Sequence, residues 1–385
     1  MTGPAAPSPA EIEIRRRLRE RGTIPFVEFM ELALYHPEGG YYTRATATTG
    51  PAGDFQTSSD VSPEFGRRIA VQAAEVAGQL GGGPWQAVEL GPGRGLLAAD
   101  LLDGLAEHAP DALRALERLV LVEVSPSLAA LQRERLAALP VTVPTTWVRA
   151  LDELGERSVR GVVIANEVFD ALPVRALERT GGALSELHVA EDRSGRLAFV
   201  PVAPADAAAV ALAERYGLCP REGERAEVCT ALDGLVAAIG RVLERGAVIV
   251  IDYGHPAARL ADGFHGQGTL LSYHRHRVER DVLARPGEQD ITAHVNWDHL
   301  ADAAAAAGLT VACRATQDRF LLALGILDEL AIREDDTPGL LARRLAARSL
   351  VMPEGGAGRR FEVVCLVRGI GRKLRGCTDP YASVK

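Results

Sequence analysis

Lysine is nearly absent from the chain: Lys373 and Lys385 are the only two, so almost all of the basic charge is arginine. Alongside many alanines and glycines, that bias fits a GC-rich coding sequence and carries no mechanism. An excess of positive charge is also missing. The formal net charge is −8, so no whole-chain field draws in nucleic acid or an anionic membrane, and neither is expected as a partner. The five cysteines, Cys219, Cys229, Cys313, Cys365 and Cys377, are scattered and odd in number. None sits at the close paired spacing of a zinc or redox motif, so reduced thiols in a cytoplasmic protein are expected. No apolar run approaches the roughly 20 residues of a membrane helix. The N-terminal helix, read as Pro9 to Arg21, alternates Glu with Arg, unlike an acid-poor transit peptide.

What remains is the composition of an ordinary globular enzyme, 47% hydrophobic and 24% charged. At 385 residues there is room for one large domain with insertions or for two smaller ones. Residues 1–84 read as a helical N-terminal cap, with helices at Pro9 to Arg21, Phe26 to Leu34 and Phe65 to Leu80 around a polar loop. Residues 85–175 alternate short apolar strands with helices. The strands are Gln86 to Leu90, Leu119 to Val124 and Val162 to Ala165. Residues 176–235 break that rhythm with a hairpin, Leu184 to Val189 and Gly195 to Val200. Residues 236–370 resume it with Ala247 to Asp252 and Leu309 to Ala312, then helical pattern from Phe320 to Arg348 and a strand at Phe361 to Arg368. Residues 371–385 form a polar tail. Near-continuous apolar strands between helices predict an α/β fold with a mostly parallel sheet covered on both faces.

The most informative turn is Glu89-Leu90-Gly91-Pro92-Gly93-Arg94-Gly95, between a strand and a helix. Glycines there let the backbone turn tightly and let a ligand approach without meeting a Cβ. A dinucleotide fingerprint places glycines first, third and sixth. Here they fall first, third and fifth. With an acid two residues before the first glycine, the segment resembles the nucleotide loop of class I methyltransferases. Glu123 ends the next strand, where a carboxylate can accept both ribose hydroxyls of an adenosine. The interval from Gly91 is longer than the typical twenty or so, and His108-Ala109-Pro110-Asp111 suggests the extension that absorbs it. The third anchor is Asn166-Glu167-Val168-Phe169-Asp170-Ala171-Leu172-Pro173, directly after an apolar strand. Ligands of open α/β sheets lie beyond the carboxyl ends of the strands, which places Asn166, Glu167 and Asp170 toward substrate and cofactor. The bland alternative is a helix start, with Asn166 capping and the acids complementing the dipole.

With these segments in hand, the chain resembles the MidA-like methyltransferases, a family that includes a mitochondrial respiratory complex I assembly factor. The similarity runs from about Ile24 to Val367. It is carried by Gly53-Asp54-Phe55-Gln56-Thr57-Ser58 before Phe65-Gly66, by Glu89 to Gly95, and by Asn166 to Pro173. Ile251-Asp252-Tyr253-Gly254, Gly268-Thr269-Leu270, Tyr273-His274-Arg275-His276, Pro286-Gly287, Asp290 to Val295 and Thr316-Gln317 follow in order. Ser59-Asp60, Arg67 and Asn296 depart from the usual pattern.

The resemblance implies a seven-stranded Rossmann-like class I sheet with its last strand antiparallel, and S-adenosyl-L-methionine as cofactor. Glu89, Gly91, Gly93, Gly95 and Glu123 would hold that cofactor, with Thr57 and Ser58 near its carboxylate end. It also implies an arginine N-methyltransferase acting on a protein, for the mitochondrial relative a complex I subunit. A guanidinium acceptor calls for carboxylates to grip it and relieve the charge of transfer. Glu167 and Asp170 are the candidates, with Asn166 accepting from the attacking nitrogen and with Asp252, Tyr253 and His255 facing the same mouth. Asp54, Asp290 and His294 follow from the resemblance alone. No metal is expected, because no histidine pair has zinc-enzyme spacing. The competing readings are a small-molecule O-, N- or C-methyltransferase, a cofactor-binding assembly factor without turnover, and a dinucleotide oxidoreductase. A homodimer is left open.

Overall fold

The computed structural model describes residues 6–44, 50, 53, 54, 56–333, 336–353 and 356–380. Its centre is a seven-stranded sheet. We number the strands β1 (Trp85–Leu90), β2 (Leu116–Val122), β3 (Thr145–Val148), β4 (Val159–Asn166), β5 (Leu243–Asp252), β6 (Thr310–Thr316) and β7 (Glu362–Arg368). Across the sheet the order is β3-β2-β1-β4-β5-β7-β6. Only β7 runs antiparallel to its neighbours, with Ile249 opposite Cys365; Val163 pairs in parallel with both Val88 and Val248.

Successive strand residues point to opposite faces, and both faces are covered. Ala87, Val162, Ile164, Ile249, Ile251 and Val363 join one core with Phe65, Ile69, Leu101 and Phe320. Val88, Val163, Ala165, Val248, Val250 and Val364 join the other with Val236, Ile239 and Leu300. Burial on two sides is why these strands are apolar without alternation. The strand missing from the sequence reading is β3. It is an edge strand in which only Val148 is buried, so it lacks the apolar run that marks the others.

The cap is built on a separate antiparallel sheet. Thr23–Pro25, Ala183–Glu191, Arg175–Thr180 and Arg225–Val228 lie side by side, and Leu197–Val202 pairs with Ala183–Glu191. Helices Pro9–Arg21 and Phe26–Tyr35 pack Ile14, Phe26, Phe29 and Met30 against it. Ser8 caps the first helix by accepting the Glu11 N–H at 3.0 Å, the interaction a Ser-Pro helix start favours. Among the described residues no helix is long and apolar enough to cross a membrane.

One expectation is corrected. Cys313 and Cys377 form a disulfide, with Cα atoms 5.6 Å apart. They lie 64 residues apart in sequence, and only the docking of the Arg375–Cys377 turn near β6 brings them together. Cys219, Cys229 and Cys365 are free thiols.

Candidate active site

Strand order reverses between β1 and β4, because successive connections leave β1 toward β2 and leave β4 toward β5. Such a switch point opens a crevice beyond the strand ends. Here it leads into a cavity of about 640 Å³. The glycine turn after β1, the Glu123 end of β2, the 149–152 turn after β3 and the Asn166–Asp170 turn after β4 all reach its wall.

Gly91, Gly93 and Gly95 have φ of 57°, 52° and 73°, the left-handed region that glycine enters without steric cost. A Cβ on Gly93 would meet no protein atom within 4 Å; it would project from the cavity wall. Gly95 does not reach that wall. Its backbone opens the helix Leu96–His108, and a Cβ there would press on Gln132 at 3.1 Å. Gln132, which sequence reasoning missed, joins the glycine turn to Glu123. Its amide donates to the Gly93 carbonyl at 2.7 Å and to Glu123 Oε2 at 2.9 Å, and its own oxygen accepts the Trp147 indole N–H from β3 at 3.0 Å. Glu123 Oε1 accepts the Ser125 N–H at 2.7 Å. Glu89 is buried, and its Oε2 has no hydrogen-bond partner. Burial, with Asp100 and Glu123 nearby, pushes its carboxyl up to about 8.

The 57–60 segment closes over this turn. Thr57 lines the cavity and forms a capping box with Asp60. Asp60 in turn pairs with Arg94 of the glycine turn, so the residue that departs from the family pattern ties cap to cofactor loop. Ser58 faces elsewhere: it is buried and donates to Gln317 Oε1 at 3.0 Å. Its side chain is off the cavity wall. Phe55 lies outside the described residues. Asp54 also lines the cavity; its Oδ2 accepts from Arg44 at 2.9 Å and its Oδ1 accepts the Arg275 N–H at 2.8 Å.

Across the cavity, Asn166, Glu167 and Asp170 at the end of β4 meet Asp290, which opens the strand Asp290–Thr292. Glu167 has φ 53°, a conformation that costs a non-glycine residue about 1–3 kcal/mol and persists only where neighbours enforce it. The enforcing group is Asp252. Its Oδ2 accepts the N–H groups of Val168, Phe169 and Asp170 at 3.2, 2.9 and 3.3 Å, and its Oδ1 accepts that of Tyr253 at 2.8 Å. Asp252 is fully buried and off the cavity wall; it positions the turn from behind. His255 and His294 are also off the wall, whereas Tyr253 lines it and packs on Phe361 at 4.1 Å. Burial, reinforced by neighbouring carboxylates, holds Glu167 and Asp170 well above the usual carboxylate range. Asp290 is raised to about 6 by burial, against the opposing hydrogen bond from Tyr42 at 2.7 Å. Asn166 Oδ1 has no hydrogen-bond partner. Tyr35, Tyr42, Tyr273 and Arg360 complete this side; Tyr273 belongs to the Tyr273–His276 string, but the sequence reading singles out none of the four as a site residue.

The arrangement pairs a glycine cradle and two acids with an acid-lined acceptor space. A family model for S-adenosyl-L-methionine-dependent methyltransferases matches residues 68–314. The chain belongs to the MidA-like S-adenosyl-L-methionine-dependent methyltransferases. A COG1565 superfamily member from Burkholderia thailandensis, solved with S-adenosyl-homocysteine, superposes with a TM-score of 0.86 at 34% identity, covering 98% of this chain and 97% of its own. The mouse protein arginine methyltransferase NDUFAF7, mitochondrial, is 29% identical over 91% of this chain and 82% of its own length. The human protein of that name is 28% identical over 96% and 87%.

The site fits the cofactor on its own terms. The unpartnered Glu89 oxygen, the open face of Gly93 and the carboxylate of Glu123 lie along one wall of one cavity.

Proposed function

We propose that this methyltransferase N-methylates an arginine side chain of a protein substrate. The observation that carries the reading is the charge of the acceptor space. Glu167, Asp170 and Asp290 line it together, and among the described residues no arginine, lysine or histidine forms an ion pair with any of them. Arg360 lines the same cavity and Arg44 lies near Asp290 but pairs with Asp54; buried carboxylates with no direct ion-pair partner are costly. A guanidinium guest supplies that counter-ion and offers N–H donors in a planar fork matched to carboxylates. The names of the mouse and human relatives support the same acceptor, and a respiratory complex I subunit is the partner that the family resemblance suggests.

When bound, S-adenosyl-L-methionine supplies an electrophilic methyl group on a sulfonium. Glu167 and Asp170 would accept hydrogen bonds from the guanidinium and hold one of its nitrogens toward the methyl donor. Methylation of that nitrogen, with release of S-adenosylhomocysteine, would leave one of its N–H protons acidic. Glu167, whose environment favours its protonated form, takes that proton on a carboxylate oxygen. Asn166 Oδ1 orients the attacking N–H, and the tyrosines exclude water from the transfer.

Comparing proteins from cells with and without the gene by intact-mass and tandem mass spectrometry tests the proposal. A methyl increment on an arginine that disappears with the gene is expected. Gene-dependent methylation of a metabolite, with no protein arginine altered, would sink it in favour of a small-molecule acceptor.

A further inference from the structure

Three histidines from separate parts of the sequence meet outside the methyl-transfer cavity. Each of His255, His265 and His294 offers one ring nitrogen, and the three lie within 4.8 Å of one another. We infer that they form a binding site for a divalent transition-metal cation of the zinc class.

The backbone builds the site deliberately. Gly254–His255 pairs in parallel with Val295–Asn296, His255 opposite Asn296, which brings its ring near that of His294, the residue just before the partner strand. The Val295 N–H donates to the Tyr253 carbonyl at 2.9 Å and fixes that register. His294 is held a second time: its N–H donates to Thr269 Oγ1 at 3.1 Å, and the Thr269 hydroxyl donates to Glu227 Oε2 at 2.9 Å. His265 arrives from the excursion between those strands, in a turn closed by the Gly268 N–H on the His265 carbonyl.

His294 stands edge-on to both other rings: it meets His255 at 68° with centroids 5.1 Å apart and His265 at 76° and 5.6 Å, while His255 and His265 lie 5.2 Å apart at 31°. Two nitrogens that could face a shared ligand, His265 Nε2 and His294 Nδ1, are buried without a hydrogen-bond partner. An orphaned buried polar atom requires a compensating group, and a cation shared by three imidazoles compensates both. Tetrahedral zinc with nitrogen at about 2.0–2.1 Å sets ligand nitrogens about 3.3 Å apart, a closure that small side-chain rotations supply. Imidazole ligands select zinc, copper or nickel over magnesium and calcium. Three protein ligands leave the fourth position to water. The metal would bolt the loop carrying His265 to the strand pair behind Tyr253. Spaced 10 and 29 residues apart, the histidines match no zinc motif.

The test uses the full chain, free of any affinity tag and stripped with a chelator. Zinc is titrated by calorimetry, and cobalt by visible absorption. One zinc per chain is expected, with no response to magnesium and a cobalt spectrum free of thiolate charge-transfer absorption. His265→Ala should weaken zinc by about a hundredfold or more while still binding S-adenosylhomocysteine, which checks its fold. Absence of zinc binding by the stripped wild-type chain would overturn the inference. So would unchanged affinity in the variant, or a thiolate band, which would move the metal to cysteine. Were His265→Ala to misfold, the wild-type stoichiometry and cobalt spectrum would still decide.

Discussion

Replacing Gly93 by alanine should separate cofactor approach from folding. At φ 52°, an L-residue costs about 1–2 kcal/mol relative to glycine. The added methyl meets no protein atom within 4 Å, so that strain is the whole cost to the free protein. For a chain of this length, an unfolding entropy of about 2 cal/mol/K per residue converts it to a Tm loss of about 1–3 °C. The same methyl stands on the cavity wall beside the carbonyl that Gln132 holds, where the cofactor must approach the backbone. We expect S-adenosylhomocysteine affinity to fall at least about tenfold, or 1.4 kcal/mol, measured by calorimetry against Tm of the free protein. Gly95→Ala is the control. It carries similar backbone strain, and its Cβ presses on Gln132 rather than entering the cavity. If Gly93→Ala binds S-adenosylhomocysteine as tightly as wild type, the turn does not contact the cofactor as argued. A larger affinity loss for Gly95→Ala would place the effect in the scaffold instead.

Glu167→Gln should lower kcat by about a hundredfold or more while changing S-adenosylhomocysteine affinity only a few-fold; single-turnover transfer to a protein substrate reads both. Asp252→Asn replaces one acceptor oxygen by an amide among four N–H donors, so it should cost about 1.5–3 kcal/mol of stability, visible in denaturant midpoint. Glu89 and Asp290 have raised folded pKa values, about 8 and about 6. Their neutral forms are favoured by folding, so they contribute stability at acid pH that is lost as pH rises from about 4 to about 8. Across the upper part of that window, Tm of Glu89→Gln should depend less on pH than that of wild type.

How much of this was legible beforehand follows from where the physical signal lies. The central strands β1, β4 and β5 announce themselves because burial on both faces leaves no polar alternation. The glycine turn is equally local, since spacing and positive φ are properties of a few consecutive residues. By contrast, β3 is a half-exposed edge, and its sequence Thr145-Thr146-Trp147-Val148 has no continuous apolar run. Without it, the 149–152 turn and the Trp147–Gln132–Glu123 chain could not be found. Asp252 carries the opposite lesson. A carboxylate at a strand end reads as a site residue, but here its oxygens are occupied by the N–H groups of the neighbouring turn. Ser58 is spent in the same way on Gln317. The histidine cluster and the Cys313–Cys377 disulfide depend on contacts between distant segments, which spacing does not encode.

The central claim is that the acids beyond the glycine turn receive a protein guanidinium. Purified chain, methyl-labelled S-adenosyl-L-methionine and an extract from cells lacking the gene provide its most direct measurement. Acid hydrolysis of the protein fraction should release the label as methylarginine, and Glu167→Gln should greatly reduce it. Label confined to small molecules, with no methylarginine in the protein fraction, would contradict the account.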